Sequence, residues 1–134
     1  MENKQIVLTV EDEALMSMAL TLVLESKYDI HPVKSAECMF KVLENGLMPN
    51  IILMDIALDG MDGIKAIELL KNDIRYKDIP IIVVSSYDTK ENRFKAFNAG
   101  AIDFIAKPIE STLLKFLIKV HIKEVGNEAC NNRC

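Results

Sequence analysis

Short apolar runs alternate with segments of helical spacing along the chain. The runs predict β-strands at residues 5–10, 29–33, 50–54, 81–84 and 101–106. Because these runs are continuously apolar, they indicate strands that are buried on both faces. The intervening segments carry apolar residues three or four positions apart, which predicts a helix after each strand. Right-handed crossovers between such strands produce a parallel sheet covered by helices on both sides, which is an α/β fold.

The apolar spacing also predicts which helical side chains face the sheet. It selects one stripe in the first helix and another in the fourth. These stripes are Leu15, Met18, Ala19, Leu22 and Val23, and Phe94, Phe97 and Ala101.

Helix ends are indicated by capping residues. Asp62 followed by Gly63 predicts the start of the third helix. Asp88 with Glu91 three residues later predicts a capping box for the fourth helix, and Gly100 predicts its end.

The fifth helix carries more apolar surface than one packing face requires, since a surface helix needs an apolar stripe only about 100° wide. Its polar residues Lys115, Lys119 and Lys123 form a narrow stripe. The excess predicts a second contact through this helix, with another copy of the chain, an effector or the next domain of a longer protein. The apolar residues are Leu113, Leu114, Phe116, Leu117, Ile118, Val120, Ile122 and Val125.

Length and composition indicate one globular domain. The chain has 134 residues, of which 50% are hydrophobic and 27% are charged. We assign residues 1–125 to this domain and 126–134 to a polar C-terminal tail. The net charge of −4 disfavours direct contact with nucleic acid, because phosphate binding needs clustered lysine and arginine.

The sequence contains no pattern that predicts export or a membrane segment. The polar start MENKQ is not followed by the apolar region of a signal peptide, and the longest apolar runs are too short to span a membrane. Cys38, Cys130 and Cys134 form no CxxC pair and predict free thiols. We therefore expect a cytoplasmic protein without membrane contact.

Side chains capable of chemistry follow four of the predicted strands, where the carboxyl ends of parallel strands meet at one edge of the sheet. They are Glu11, Asp12 and Glu13 after the first strand, Asp55 after the third, Ser85 and Ser86 after the fourth, and Lys107 and Pro108 after the fifth. A lone carboxylate at the end of a buried strand costs several kcal/mol. Either the strand ends just before Asp55, or this carboxylate has a partner and a function there.

These residues, in this order, resemble the receiver domain of two-component response regulators, of the chemotaxis-Y-like kind. The matching stretches are VEDE at 10–13, LMDIALDGMDG at 53–63, PIIVVSS at 80–86 and AGAIDFIAKP at 99–108. The resemblance covers the chain from about Ile6 to the fifth helix. It implies a flavodoxin-like three-layer sandwich with five helices and five parallel strands in the order 2-1-3-4-5.

The resemblance also implies a phosphorylation site. Asp55 would accept a phosphoryl group from a sensor histidine kinase or a phosphotransfer protein. Mg²⁺ would bind Asp12, Asp55 and the backbone carbonyl of Ala57, with Glu11 acting through a water molecule. Lys107 would neutralise the charge first of Asp55 and then of the phosphoryl group.

A conformational switch is implied as well. Ser85 would bind the phosphoryl oxygen, and the ring of Phe104 would turn inward as the serine hydroxyl moves. The peptide bond between Lys107 and Pro108 would be cis. The surface made by the fourth helix, fifth strand and fifth helix would then change its affinity for a partner or for a second copy.

Two alternatives stay open. The first is a receiver-like interaction module that is not phosphorylated, although the joint presence of Asp12, Asp55, Ser85 and Lys107 argues against it. The second is an aspartyl-nucleophile phosphatase, which needs a second aspartate where this chain has Ala57. We therefore interpret the protein as a signalling phospho-acceptor and not as an enzyme that acts on other molecules.

A few positions depart from the family pattern. Glu11 stands where aspartate is more frequent, and Asp59 replaces the usual proline in the loop after Asp55. Ala57 offers no side chain that could position an attacking water, and Tyr87 is bulky enough to shield the phosphoryl group. From Ala57 and Tyr87 we predict a long-lived phosphorylated state.

Overall fold

A parallel sheet forms the scaffold of the protein, whose computed structural model describes residues 3–58 and 60–123. The strands are β1 (Ile6–Val10), β2 (Asp29–Val33), β3 (Ile51–Met54), β4 (Ile81–Ser85) and β5 (Asp103–Ala106). The helices are α1 (Ala14–Leu24), α2 (Ala36–Glu44), α3 (Gly63–Lys71), α4 (Lys90–Ala99) and α5 (Ser111–His121).

The strand order β2-β1-β3-β4-β5, with every neighbouring pair parallel, confirms the predicted flavodoxin-like three-layer sandwich. Some of the residues discussed above, namely Asp59, Val125, Cys130, Cys134 and the tail 126–134, lie outside the described residues.

The strands follow the predicted runs with small shifts at their ends. β1, β3 and β5 begin one or two residues later than predicted, and β4 extends one residue further, to Ser85. β2 lies at an edge of the sheet and pairs only with β1, which explains how it accommodates Pro32. The central strand β3 is buried along its whole length, as its continuous apolar sequence indicates.

Each face of the sheet carries its own hydrophobic core. On one face, Leu20 and Leu24 of α1 and Leu114 and Ile118 of α5 pack against the strands. On the other face, α2, α3 and α4 cover the sheet with residues such as Met39. This division leaves the carboxyl ends of β1, β3, β4 and β5 open at one edge between the two layers.

The predicted stripe of α1 contacts the core only at Val23, which is partly buried against the sheet. Leu15, Met18 and Leu22 are 76%, 60% and 67% exposed, whereas Leu20 and Leu24 are buried. The helix sequence ALMSMALTLVL is apolar almost all the way around, so its periodicity does not select one face. The contact with the sheet selects the face, and the remaining side forms an exposed apolar stripe.

The predicted stripe of α4 is buried only at Ala101, just past the end of the helix, and the reason differs from that for α1. Phe94 and Phe97 are 70% and 43% exposed, and Ala96 is the buried residue of this helix. A small side chain at the contact allows the helix backbone to approach its neighbours closely. The two aromatic side chains therefore remain at the surface.

The helix ends follow the predicted capping residues with one exception. Asp62 caps α3, and Gly100 ends α4, as predicted. The cap of α4 is Thr89 and not Asp88, because the Thr89 hydroxyl accepts the hydrogen bond from a backbone N–H of the first turn. Asp88 instead pairs with Arg93.

Helix α5 presents apolar residues on two sides. Leu114 and Ile118 are buried against the sheet, while Leu113, Phe116 and Val120 are 45%, 59% and 56% exposed. Within residues 3–58 and 60–123, none of the helices is long and apolar enough for a membrane crossing.

Candidate functional site

Two buried carboxylates lie side by side because the backbone hydrogen bonds of the sheet continue one residue past β1 and β3. The Glu11 N–H donates to the carbonyl of Val33, and the Asp55 N–H donates to the carbonyl of Val10, each at 3.0 Å. The parallel register pairs Val10 with Met54, the residues that immediately precede these two acids. Glu11 is 3% exposed and Asp55 is 5% exposed.

A third carboxylate completes the group. One carboxylate oxygen from each of Glu11, Asp12 and Asp55 lies within 4.8 Å of the others. Asp12 is exposed, so the cluster opens to solvent on its side. Oxygen atoms in this arrangement suit a hard divalent cation such as Mg²⁺, and the mutual repulsion of the negative charges favours cation binding.

The ammonium group of Lys107 reaches this cluster from the end of β5. Its Nζ lies 2.8 Å from Glu11 Oε1 and 3.4 Å from Asp55 Oδ2. The backbone N–H of Lys107 donates to the carbonyl of Ser85 at 2.9 Å, and the peptide bond to Pro108 is cis. The shorter contact with Glu11 was not expected from the sequence; the longer side chain of glutamate was its only signal.

Burial and neighbouring charges shift the pKa of Lys107 in opposite directions. Burial lowers the pKa of Lys107, but the hydrogen bond to Glu11 and the charges of Asp55 and Glu11 outweigh it and raise the pKa above its ordinary value. Burial also raises the pKa of Glu11, against the effect of its hydrogen bonds from Lys107 and from the Glu13 N–H. Lys107 is therefore protonated at neutral pH.

The loop after Asp55 is held close to the start of α3. The Ala57 N–H donates to Asp55 Oδ1 at 3.0 Å, and the Gly63 N–H donates to the carbonyl of Ile56 at 3.3 Å. A Cβ atom added to Gly63 would lie 2.5 Å from the backbone oxygen of Asp55 and 2.6 Å from Ile56 Cα. Gly63 is thus needed for this approach, which its sequence position at a helix start did not reveal.

Glu37 of α2 supports the same loop from the other side. Its Oε2 accepts a hydrogen bond from the Met61 N–H at 3.0 Å, next to Gly60, whose φ is +81°. Hydrogen bonds from its own N–H and from Met61 lower the pKa of Glu37. No signal in the sequence connects α2 with this loop, because the contact spans more than twenty residues.

Ser85 and Phe104 lie on neighbouring strands of the rim. Ser85 is fully buried, and its Oγ accepts a hydrogen bond from the Tyr87 N–H at 3.0 Å. Phe104, which pairs in register with Val83, is 4% exposed, and the guanidinium of Arg93 lies 4.7 Å from its ring centroid. The ring therefore already lies inward in this structure, whereas the resemblance implied an inward turn only upon phosphorylation.

An open groove of about 500 Å³ runs beside the acidic cluster, between the loop after β3 and the start of α4. Ala57 and Tyr87 are among its lining residues. The phosphoryl lifetime that we derived from Ala57 and Tyr87 stays a prediction.

Most of the chain matches a known protein family. The model of the response regulator receiver domain matches residues 7–119. This range contains β2 to β5, all of β1 except Ile6, the side chains of the acidic cluster and Lys107.

The chain is also similar to part of a longer protein. The chain is 38% identical over 128 residues to protein-glutamate methylesterase/protein-glutamine glutaminase 2 of Carboxydothermus hydrogenoformans, covering 91% of this chain and 33% of that protein. It therefore spans about a third of the length of this relative.

Solved structures show the same architecture. A CheY-like response regulator receiver domain protein from Methanospirillum hungatei superposes with a TM-score of 0.81 at 26% identity, over 88% of this chain and 93% of the other. The receiver domain of sensor histidine kinase PA1611 from Pseudomonas aeruginosa, with magnesium ion coordinated in its active site cleft, gives 0.81 at 24% identity, over 88% and 97%. The second likeness concerns the fold alone.

We predict that Gly63→Ala destabilises the protein, although alanine is ordinarily the better residue in a helix by about 0.5–1 kcal/mol. The added methyl meets backbone atoms of Asp55 and Ile56, and overpacking of this kind costs about 1–3 kcal/mol. Urea denaturation measures the change in unfolding free energy.

Gly46→Ala serves as the control for this prediction. A Cβ at Gly46 meets nothing within 4 Å, so its cost reports only the backbone φ of +108°. A Gly63→Ala variant more stable than the parent protein would show that the loop yields to the methyl group.

Proposed function

The chain belongs to the response regulator receiver domain family, and we propose from this premise that it is a signalling switch with Asp55 as its phospho-acceptor. Proteins of this family act as phospho-acceptors in two-component systems. The observation that carries the assignment of Asp55 is its position beside Glu11, Asp12 and Lys107 at one edge of the sheet.

The proposed reaction is attack by an Asp55 carboxylate oxygen on the phosphorus of a phosphohistidine. A P–O bond forms, the P–N bond breaks, and the electron pair stays on the imidazole nitrogen, which takes up a proton. A carboxylate attacks an anionic phosphoryl group slowly unless the negative charge is neutralised. Lys107 is placed to do so 3.4 Å from Asp55 Oδ2, while the Ala57 N–H orients Oδ1.

We propose Mg²⁺ as the cofactor, held by Asp12, Asp55 and the backbone carbonyl of Ala57. When bound, the ion offsets the negative charge of the carboxylates and of the phosphoryl oxygens. Glu11 fits a contact through water better than direct ligation, because Oε1 is engaged by Lys107 and Oε2 by the Glu13 N–H. The oxygen-only donor set supports magnesium over softer metals.

The output of the proposed switch is protein association. Ser85 would bind the phosphoryl oxygen, and Phe104 would respond to the movement of its hydroxyl. The surface affected consists of α4, β5 and α5, where Phe94, Leu113 and Val120 are exposed. The exposed apolar residues and the net charge of −4 support a protein partner or a second copy over nucleic acid or a membrane.

A second candidate is an interaction module that does not take phosphate. The exposed apolar residues of α5 favour contact with another protein whether or not Asp55 is phosphorylated. A phosphatase is the weakest candidate, because Ala57 supplies no general acid.

We predict that a small phosphodonor adds one phosphoryl group to the protein in the presence of Mg²⁺, as measured by intact mass. Asp55→Asn should abolish the gain, because the amide is not a nucleophile. Chelation of Mg²⁺ should slow the gain strongly, because the charge of the cluster is then less well neutralised.

Asp62→Asn is the matched control for Asp55→Asn, since it alters an aspartate at the start of α3 that caps the helix through a side-chain oxygen. This variant should still gain the phosphoryl group. If the folded parent protein gains no mass, the interaction module becomes the preferred function.

The exposed apolar stripe of α1 is placed to bind the protein that donates the phosphoryl group. It consists of Leu15, Met18 and Leu22 and begins three residues after Asp12. A donor protein has to cover the surface around Asp55 in order to bring its phosphohistidine into the groove. An apolar stripe at this border offers the area that such a contact buries.

We predict that Leu15→Ser with Met18→Ser slows phosphotransfer from a phosphohistidine protein by about tenfold or more, as expected for central apolar contacts. The rate with a small phosphodonor should not change, because the acidic cluster is untouched. Ile74→Ser, at an equally exposed apolar position of 82%, is the control. Equal slowing with both donors would place the defect in the acceptor site.

We predict that phosphorylation promotes self-association through α5, measured by size exclusion with light scattering. Leu113→Ser with Val120→Ser should keep the phosphorylated protein monomeric, because both side chains are about half exposed on the outer side of the helix. Leu69→Ser on α3, which is 39% exposed, is the control. If the phosphorylated parent protein is itself monomeric, the α5 surface serves a different partner.

A further inference from the structure

A continuous series of contacts connects the Ser85 hydroxyl with the ring of Phe104. The Tyr87 N–H donates to Ser85 Oγ at 3.0 Å. The next residue, Asp88, accepts a short hydrogen bond from Nε of Arg93. The guanidinium carbon of Arg93 then lies 4.7 Å from the centroid of the Phe104 ring.

The loop after β4 is also attached to α4 by a second residue. Asn92 donates from Nδ2 to the carbonyl of Tyr87 at 3.0 Å, and its backbone N–H donates to Thr89 Oγ1 at 3.0 Å. These hydrogen bonds join the first turn of α4 to the loop, and Arg93 belongs to that turn.

The Phe104 ring lies between the hydrophobic core and the Arg93 guanidinium. The ring is 4% exposed and belongs to the core formed with α2, α3 and α4, whereas the Arg93 side chain is 42% exposed. A planar guanidinium over an aromatic face gains a cation–π interaction. The pairing with Asp88 holds it there, so the ring has to displace Arg93 in order to leave the core.

We propose that Arg93 is a positioning residue that couples the two switch residues. Held by Asp88, it keeps the Phe104 ring in the core, and movement of the loop after Ser85 releases this hold. The signalling role of Arg93 rests on the proposed function. The hold on the ring is a property of the unphosphorylated protein and is testable without any phosphodonor.

The chemistry of arginine is specific to this role. Lysine carries the same charge but lacks the planar group that stacks on a ring, and it cannot present a directed Nε–H to Asp88. Arg93→Lys should therefore retain part of the hold on the Phe104 ring that Arg93→Ala removes. A role of Arg93 in helix stability alone would not separate these two variants in this way.

Fluorine NMR of protein labelled with para-fluorophenylalanine tests the hold on the ring. The chain has five phenylalanines, and the Phe104 signal is assigned by its loss in Phe104→Leu. The difference in chemical shift between H₂O and D₂O reports exposure of the ring. We expect a small difference in the parent protein and a population of exposed ring about threefold to tenfold larger in Arg93→Ala and in Asp88→Asn.

Lys95→Ala is the matched control, since it removes a cation from the same helix and breaks the Lys95–Glu91 pair of 3.4 Å. Its Phe104 signal should equal that of the parent protein, and Arg93→Lys should be intermediate. Unchanged exposure in both Arg93→Ala and Asp88→Asn would overturn the proposal, because core packing alone would then hold the ring. A Phe104 ring that is as exposed in Lys95→Ala as in Arg93→Ala would also overturn the proposal.

A second measurement tests coupling to the acceptor. With a small phosphodonor and Mg²⁺, the Phe104 signal of the parent protein should change as the mass of one phosphoryl group appears. In Arg93→Ala the mass should still increase while the change in the signal is lost. An undiminished change in the signal would contradict the coupling. If the parent protein gains no mass, the proposed function fails, and the exposure of the ring alone decides the role of Arg93.

Discussion

The contact of Lys107 with Glu11 and Asp55 is the interaction on which the site depends. The two carboxylates are buried next to each other by the backbone hydrogen bonds of β1 and β3, so their repulsion cannot be relieved by moving apart. The ammonium of Lys107, brought from β5, is the cation that balances them in the described part of the chain. Buried like charges without such a partner would cost several kcal/mol.

This constraint explains why the surrounding backbone is held so tightly. Gly63 lets the start of α3 lie against the backbone of Asp55, and Glu37 fixes the following loop through Met61. A carboxylate that must accept a phosphoryl group needs a defined orientation, because small displacements reduce the rate of an in-line displacement. These supports come from helices on one side of the sheet, while Lys107 comes from the far strand.

The surface of the protein shows a different use of apolar side chains. The outer sides of α1, α4 and α5 expose Leu15, Met18, Phe94, Phe116 and Val120, although the two cores are already filled. Apolar residues at these positions do little for the stability of the isolated chain. Under the proposed function, they would supply contact area for other proteins. The acidic site and these surfaces meet at the start of α1 and in the loop before α4.

The sequence by itself determined the layered α/β fold, because continuous apolar runs and helical spacing are local patterns that need no knowledge of packing. It also placed Glu11, Asp12, Asp55 and Lys107 at one edge, because the carboxyl ends of parallel strands must meet there. Only the tertiary structure decided which face of α1 is buried. A helix that is apolar all around offers no periodic signal, and the sheet makes the choice.

The tertiary structure also decided the finer contacts of the site. The closer approach of Lys107 to Glu11, the support from Glu37 and the position of Arg93 over Phe104 join residues from different elements. Such contacts depend on side-chain lengths and on distances of a few ångströms between elements. Side-chain lengths can be read from the sequence, but the pattern of apolar and polar residues carries no information on the distances between elements. The sequence determined which groups reach the site, and the packing of the helices on the sheet determined how they pair.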